Sequence, residues 1–378
     1  MRVTPDPFVP GERLNRTGVK EGLLSGLRFA AKDNFDVAGR KTGLGLAHGG
    51  KIALDDATLI AACLAGGADL IGKTIMDELA FSLLGLNAAF GAPLNPAAPG
   101  CIAGGSSCGS ASIVAQALAD FALATDTAGS IRVPASFCGV WGLRPTHGAL
   151  STRGMAPLAQ SFDVPGWFCA NAGVFRRVSE ALLPRAPPRE IKCAIICDWL
   201  FEGAPDRRAA AISWAQRGGL AVSRQTAPPA AIEAMLDMFR TVQLYEAHAA
   251  LGEFADNPDI PEDIAARLRD GAGVTRETYQ AALLARSVLS SQLDTQLDGA
   301  VMLAPAAPLP FKLSALETPQ AREQARRRIL TYTVLASLGA LPQIVMPMWR
   351  DADGPVGLGL IASRGGDRDL LELCIPRE

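Results

Sequence analysis

Gly104-Gly105-Ser106-Ser107-Cys108-Gly109-Ser110-Ala111-Ser112 and Thr125-Asp126-Thr127-Ala128-Gly129-Ser130-Ile131-Arg132-Val133-Pro134 are two Gly- and Ser-rich clusters separated by one short apolar stretch. Taken alone, such composition describes a pair of flexible turns. Their neighbours argue for more. The first cluster runs into an apolar helix expected over about 110–119, and the second ends an apolar strand expected over 121–125. Hydroxyls at strand and helix ends of an α/β sheet face its mouth, where ligands bind. Small residues ahead of Ser130 also let successive backbone N–H groups converge on one point, as stabilising an oxyanion requires.

Outward from these clusters, short apolar runs alternate with helical stretches from about residue 28 to 200, the pattern of an α/β protein. Asp55 or Asp56 can cap a helix running to Leu64, Gly66-Gly67 closes it, and 68–71 then reads as a strand. A second helix is expected over 74–84. The Gly-, Pro- and Ser-rich loop 91–109 is long for a compact domain, which marks it as functional. Composition shifts at Pro184-Arg185-Ala186-Pro187-Pro188. Beyond it, strands are expected at 193–197, 219–222 and 300–303, a helix near 207–216, and mainly helix over 232–297. The uncharged stretch 329–349 has the length of a membrane span, but Thr331, Thr333, Gly339, Pro342, Gln343 and Pro347 favour buried helix, turn and strand.

Composition narrows the function classes. In 378 residues, 36 Lys+Arg oppose 38 Asp+Glu for a net charge of −2, which gives no electrostatic footprint for nucleic acid or an acidic membrane. With 49% hydrophobic residues the chain buries an extensive core and is not globally disordered. Eight Cys lie scattered without a CxxC pair, which fits free thiols in a reducing cytosol better than a disulfide framework or a zinc site. Three His, far apart in sequence, argue against a polyhistidine metal centre. Residues 1–17 are polar and proline-containing, with no apolar stretch of signal-peptide length, and cytoplasmic location is the expectation.

One motif misleads. Gly67-Ala68-Asp69-Leu70-Ile71-Gly72-Lys73-Thr74 satisfies GxxxxGK[ST] letter for letter, the mark of a P-loop nucleotide hydrolase. A phosphate cradle needs a strand, then a loop of free N–H groups, then a helix. Here a helix pattern precedes Gly67 and the middle residues are themselves the strand, so the nucleotide reading is set aside.

A serine nucleophile needs a base. No GxSxG elbow surrounds Ser130 and no SxxK pair is present. His147 sits in a turn-like Thr146-His147-Gly148 and reads as structural. Lys32 follows the apolar run 27–31, so its stem lies on or beside a buried strand. Desolvation there favours the neutral amine, and a neutral amine is a general base.

These residues resemble the amidase signature family of Ser-cisSer-Lys amide hydrolases. The resemblance begins at Leu27–Val37, continues through Gly72-Lys73-Thr74 and Asn95-Pro96, and peaks across Pro99–Ser112 and Thr125–Pro145. Phe29–Asp36, Ile75-Met76-Asp77-Glu78, Val133–Ser136 and Ala159–Asp163 look most like the indole-3-acetamide hydrolase branch. The resemblance implies one α/β/α domain over 1–378: a large twisted mixed sheet with helices on both faces, a signature core at about 25–185 and a substrate-shaping second half at about 190–378. It implies Ser130 as the acylated nucleophile, Ser106 as a bridging serine behind a cis bond after Gly105, and Lys32 as the base. Backbone N–H groups of Thr127, Ala128, Gly129 and Ser130 would bind the oxyanion, with Ser107, Asp126, Arg132 and Cys138 in support. Ala80 falls at an acyl-pocket position. Ala128 and Cys108 depart from the usual small residues, and Ala128 would be strained if its site required a positive φ.

The implied activity is hydrolysis of a small carboxamide, an arylacetamide such as indole-3-acetamide among the candidates, to acid and ammonia. No cofactor, metal, nucleic acid or membrane is implied, and the chain would act as monomer or homodimer. The alternative within the family is the glutaminase subunit of a tRNA-dependent amidotransferase. At 378 residues the chain is short for the family, which leads us to expect a trimmed, more open pocket.

Overall fold

A computed structural model describes residues 2–226, 229–352 and 354–376. Among these residues, eleven strands make the main sheet: β1 (Phe8–Arg16), β2 (Arg28–Lys32), β3 (Asp69–Thr74), β4 (Phe121–Asp126), β5 (Trp141–Arg144), β6 (Val164–Cys169), β7 (Cys193–Cys197), β8 (Ala221–Gln225), β9 (Ala300–Pro305), β10 (Gln343–Asp351) and β11 (Gly354–Ile361). Their spatial order is β8-β7-β9-β11-β10-β5-β6-β4-β2-β3-β1. β2 runs parallel to β3 and β4, and β7 runs parallel to β8 and β9. The remaining pairings are antiparallel, so the sheet is mixed. Strands from both sides of 184–188 lie in this one sheet.

Ten helices among the described residues cover it: α1 (Thr58–Ala65), α2 (Cys108–Ala115), α3 (Arg132–Cys138), α4 (Ala172–Leu182), α5 (Pro205–Arg217), α6 (Pro229–Leu251), α7 (Glu262–Ala272), α8 (Arg276–Gln296), α9 (Pro319–Leu338) and α10 (Asp367–Cys374). Strand side chains alternate between faces, and the core divides accordingly. Leu123, Trp167, Ile196 and Leu303 pack with α1, α4, α5 and α10. Their neighbours Ala122, Ala124 and Phe168 pack on the other side with α2 and α3, while Ile195, Met302 and Ala304 pack with α9. Small residues on that second face let α3 come close. A Cβ on Gly142 would stand 2.7 Å from Ala135 Cβ.

Local signals were overridden in three places. The helix expected over 74–84 is absent: β3 continues to Thr74, and only a 3-10 turn follows at Glu78–Ala80, with Leu79 and Ala80 at φ +54° and +58°. Asp77 accepts the Gly85 N–H at 3.1 Å, and Asn87 Nδ2 donates to the carbonyls of Gly45 and Met76, so side chains fold this segment back on itself. The first cluster opens its helix at Cys108 rather than Ser110. At α1 the N-cap is Ala57, because Asp56 is engaged with Arg16 and with the Ala38 N–H at 2.9 Å.

Two readings stand. Residues 329–349 form the buried half of α9, a turn and β10, and no helix among the described residues is long and apolar enough to cross a membrane. The nucleotide-like motif is strand β3. Its Lys73 is buried against Asp33 at 2.9 Å, with Nζ also on the Lys41 carbonyl.

Candidate active site

The parallel strands β2 and β4 end side by side, at Lys32 and at Thr125-Asp126. Lys32 Nζ lies 2.8 Å from Ser106 Oγ and 2.8 Å from Thr125 Oγ1. Ser106 Oγ lies 3.0 Å from Ser130 Oγ, and the Gly105–Ser106 peptide bond is cis. Two serines, one from each Gly- and Ser-rich cluster, thus join a strand-end lysine in an unbroken row. All three are buried, and Ser130 keeps 3% of its surface.

Burial lowers the Lys32 pKa from 10.5 to about 8, against the buried carboxyls of Asp77, Asp126 and Asp163, which pull it back up. A lysine so placed reaches its neutral form within the ordinary pH range. Thr125 was not singled out from sequence, yet its hydroxyl also receives Asn34 Nδ2 at 3.1 Å and so fixes the far side of the amine. Ser107 lies alongside, donating to the Thr125 carbonyl at 3.2 Å.

Loop 127–130 is held from beneath by Asp126. Burial alone would raise the Asp126 pKa, but Arg132 and Arg144 hold the carboxyl well below the usual range. Its Oδ1 accepts Arg132 at 2.7 Å and Arg144 at 2.9 Å, and its Oδ2 accepts the Ile131 N–H at 3.0 Å. The N–H groups expected to face an oxyanion do not share one fate. Gly129 N–H donates to Asp126 Oδ1 at 3.0 Å and leaves the set. Because a trans peptide is planar, a bond to its carbonyl also aims the N–H on the opposite side. Arg144 donates to the Asp126 carbonyl at 2.8 Å, orienting the Thr127 N–H. Ser337 Oγ donates to the Thr127 carbonyl at 2.8 Å, orienting the Ala128 N–H. The positive φ in this loop, +136°, falls on Gly129, so Ala128 carries no such strain.

α9 therefore belongs to the site. Thr333 Oγ1 donates to the Ala128 carbonyl, and Ser337 Oγ also receives Arg132 at 2.8 Å. Nothing in the pattern of 320–338 marked these two hydroxyls, since an isolated Ser or Thr in a helix carries no sequence signal of its own. Cys138 donates to the Ala103 carbonyl at 3.5 Å and Cys108 is buried beside Asp77, so both support the walls rather than the row. His147 stays outside, its ring on the Gln160 carbonyl at 2.8 Å. Ala80 sits in the left-handed turn and packs against the cluster that contains Ala128, Val133, Phe137 and Phe239. That cluster is drawn from α3, α6 and α9.

The Amidase family model matches residues 12–198. The chain is 33% identical to Amidase 1 of Oryza sativa subsp. japonica over 93% of its own length and 89% of that protein. It is 44% identical to indoleacetamide hydrolase of Pseudomonas syringae pv. syringae over 40% of its length and 34% of that protein. The crystal structure of a glutamyl-tRNA(Gln) amidotransferase chain from Thermotoga maritima is also similar, with a TM-score of 0.80 and 25% identity over 98% of this chain and 86% of that one.

Proposed function

The chain belongs to the amidase family of amide hydrolases, and on that footing we propose that it cleaves the C–N bond of a small carboxamide through an acyl-enzyme on Ser130. The observation that carries the reading is the continuous row Lys32 Nζ, Ser106 Oγ, Ser130 Oγ, with contacts of 2.8 and 3.0 Å.

Ser130 Oγ attacks the amide carbonyl while its proton passes to Ser106 Oγ, whose own proton passes to the neutral Lys32 amine. The tetrahedral oxyanion takes the N–H groups of Thr127, Ala128 and Ser130; removing one such donor costs about 3–4 kcal/mol of transition-state stabilisation. The relay then runs backward, protonating the departing nitrogen, and ammonia leaves. Water, deprotonated through the same row, releases the carboxylic acid and restores the serine. Asp126, Arg132 and Ser107 act as supports and touch no reacting atom. The small side chain of Ala80 leaves room for a bulky acyl group, and partial identity with an indoleacetamide hydrolase favours an arylacetamide. Eight cysteines without a disulfide among them accord with a cytoplasmic setting. The glutaminase reading draws support from likeness to the Thermotoga amidotransferase chain.

Ammonia release from indole-3-acetamide, phenylacetamide and glutamine, with Ser130→Ala as control, separates these. Release from an arylacetamide that the variant abolishes supports the proposal. Equal release by both proteins ends the mechanism, and turnover of glutamine alone, only in the presence of partner proteins, favours the amidotransferase.

A further inference from the structure

The turn 158–163, between β5 and β6, is built around one buried carboxylate. Asp163 Oδ2 accepts the N–H groups of Leu158 at 2.8 Å and Ala159 at 3.0 Å, and the Ala159 carbonyl accepts those of Phe162 and Asp163. The other oxygen, Oδ1, accepts Thr127 Oγ1 at 2.6 Å. Thr127 opens the loop that carries Ser130. A turn this heavily cross-bonded moves as one body, so what grips its outer end also sets its inner end.

Its outer end is gripped by helices of the second half. Ser161 donates twice to Glu246 on α6, from its N–H to Oε2 at 2.9 Å and from its hydroxyl to Oε1. Tyr279 on α8 donates to the same Oε1 at 2.7 Å, which orients the carboxylate. Arg286 on α8 donates to the Ser161 carbonyl at 2.7 Å and lies 4.2 Å over the Phe162 ring. The Glu246 carboxylate therefore accepts from three donors, two on Ser161 and one on Tyr279.

We infer that Glu246 is a positioning residue for the Ser130 loop, acting through Ser161, Asp163 and Thr127. This rests on the amide-hydrolase reading of Ser130. The brace complements α9: Ser337 and Thr333 fix the carbonyls of Thr127 and Ala128, whereas Asp163 fixes the Thr127 side chain, and the two together leave the loop one orientation. It also gives α6 and α8 a part in rate as well as in shaping the cleft.

The experiment measures kcat, KM and thermal midpoint on the full chain for Glu246→Gln, Thr127→Val, Thr127→Ser and the double variant Glu246→Gln/Thr127→Val, using the amide that wild type hydrolyses best. Glu246→Gln is expected to lower kcat about tenfold with KM within about twofold, the size of effect seen for residues coupled to a site at one remove. Thr127→Val, isosteric but without the hydroxyl, loses at least as much, and Thr127→Ser restores it. The double variant falls no further than the worse single, because both cut one chain of contacts. A Glu246→Gln enzyme with unchanged kcat, a loss confined to KM, or losses that multiply in the double variant would each overturn the brace while Ser130-dependent hydrolysis stands. If wild type shows no Ser130-dependent release, the underlying reading fails and the brace with it.

Discussion

The pH dependence of kcat/KM probes the base directly. The Lys32 pKa is lowered from 10.5 to about 8, chiefly by burial, and on the proposed mechanism Lys32 is the group that must lose a proton before Ser130 can be activated. At pH 7 about a tenth of such an amine is neutral, against about 3 in 10,000 for an ordinary lysine, so the fold raises the reactive fraction roughly 300-fold. For a neutral amide, log kcat/KM should rise with unit slope from about pH 6 to 7 and level off above about 8. Asp163, which burial raises to about 6, adds a second proton at the acid end, and the slope should steepen below that point. The assay is continuous ammonia release under subsaturating substrate from pH 5 to 10. Lys32→Arg places a charge that cannot be discharged at the same position and should cost at least about a thousandfold at every pH. A profile flat from pH 6 to 9, an acid limb centred near the ordinary histidine value, or substantial activity in Lys32→Arg would refute the assignment.

Lys32→Met should stabilise the fold while abolishing turnover. Keeping the ammonium buried costs about 3 kcal/mol, offset by two lost hydrogen bonds of about 1 kcal/mol each, for a net gain of about 1 kcal/mol by urea denaturation at pH 7. Because the folded pKa lies below the unfolded one, that advantage is full below about pH 8 and fades as pH rises through 10.5; a less stable variant would contradict it. Gly129→Ala puts a Cβ 2.9 Å from Thr333 Cγ2 at a φ of +136°, and should lose about 1–3 kcal/mol of stability together with most of kcat. Lys73→Met leaves the buried Asp33 carboxylate without its partner and should destabilise by about 3–5 kcal/mol, and calorimetric titration of wild type with ATP should show no binding.

What was legible in sequence was what is local. The strand ends at Lys32 and Thr125 follow from apolar runs broken by polar residues, and the false phosphate loop could be dismissed because the same pattern placed β3 across it. The helix expected at 74–84 failed because Asp77 and Asn87 bind backbone groups around residues 45, 76 and 85, contacts that no window of neighbouring residues contains. The site divided in the same way. The two serine clusters announce themselves by composition, whereas Thr333, Ser337, Glu246 and Tyr279 are ordinary residues on ordinary helices. Their meaning comes only from a fold that brings α9 over a loop 205 residues earlier.

The surroundings of the Ser130 loop suit a site that, on the proposed mechanism, holds both a neutral base and a forming anion. Arg144, lowered by burial only to about 10, remains charged at neutral pH, and Arg132 stands beside it; against these two guanidiniums Asp126 sets a single carboxylate. A second buried carboxylate, Asp163 on Thr127, brings the charges around loop 127–130 into balance at neutral pH. On the proposed mechanism the oxyanion above the loop is then stabilised by oriented N–H groups rather than by an excess of charge, and the same low-dielectric surroundings favour the neutral form of Lys32. A histidine base would ordinarily need a carboxylate to orient it, and that carboxylate would add a negative charge beside the forming oxyanion. With a lysine whose pKa is set by burial, Asp126 is free to serve the loop alone, so the small number of histidines in this chain is no obstacle to hydrolysis at neutral pH.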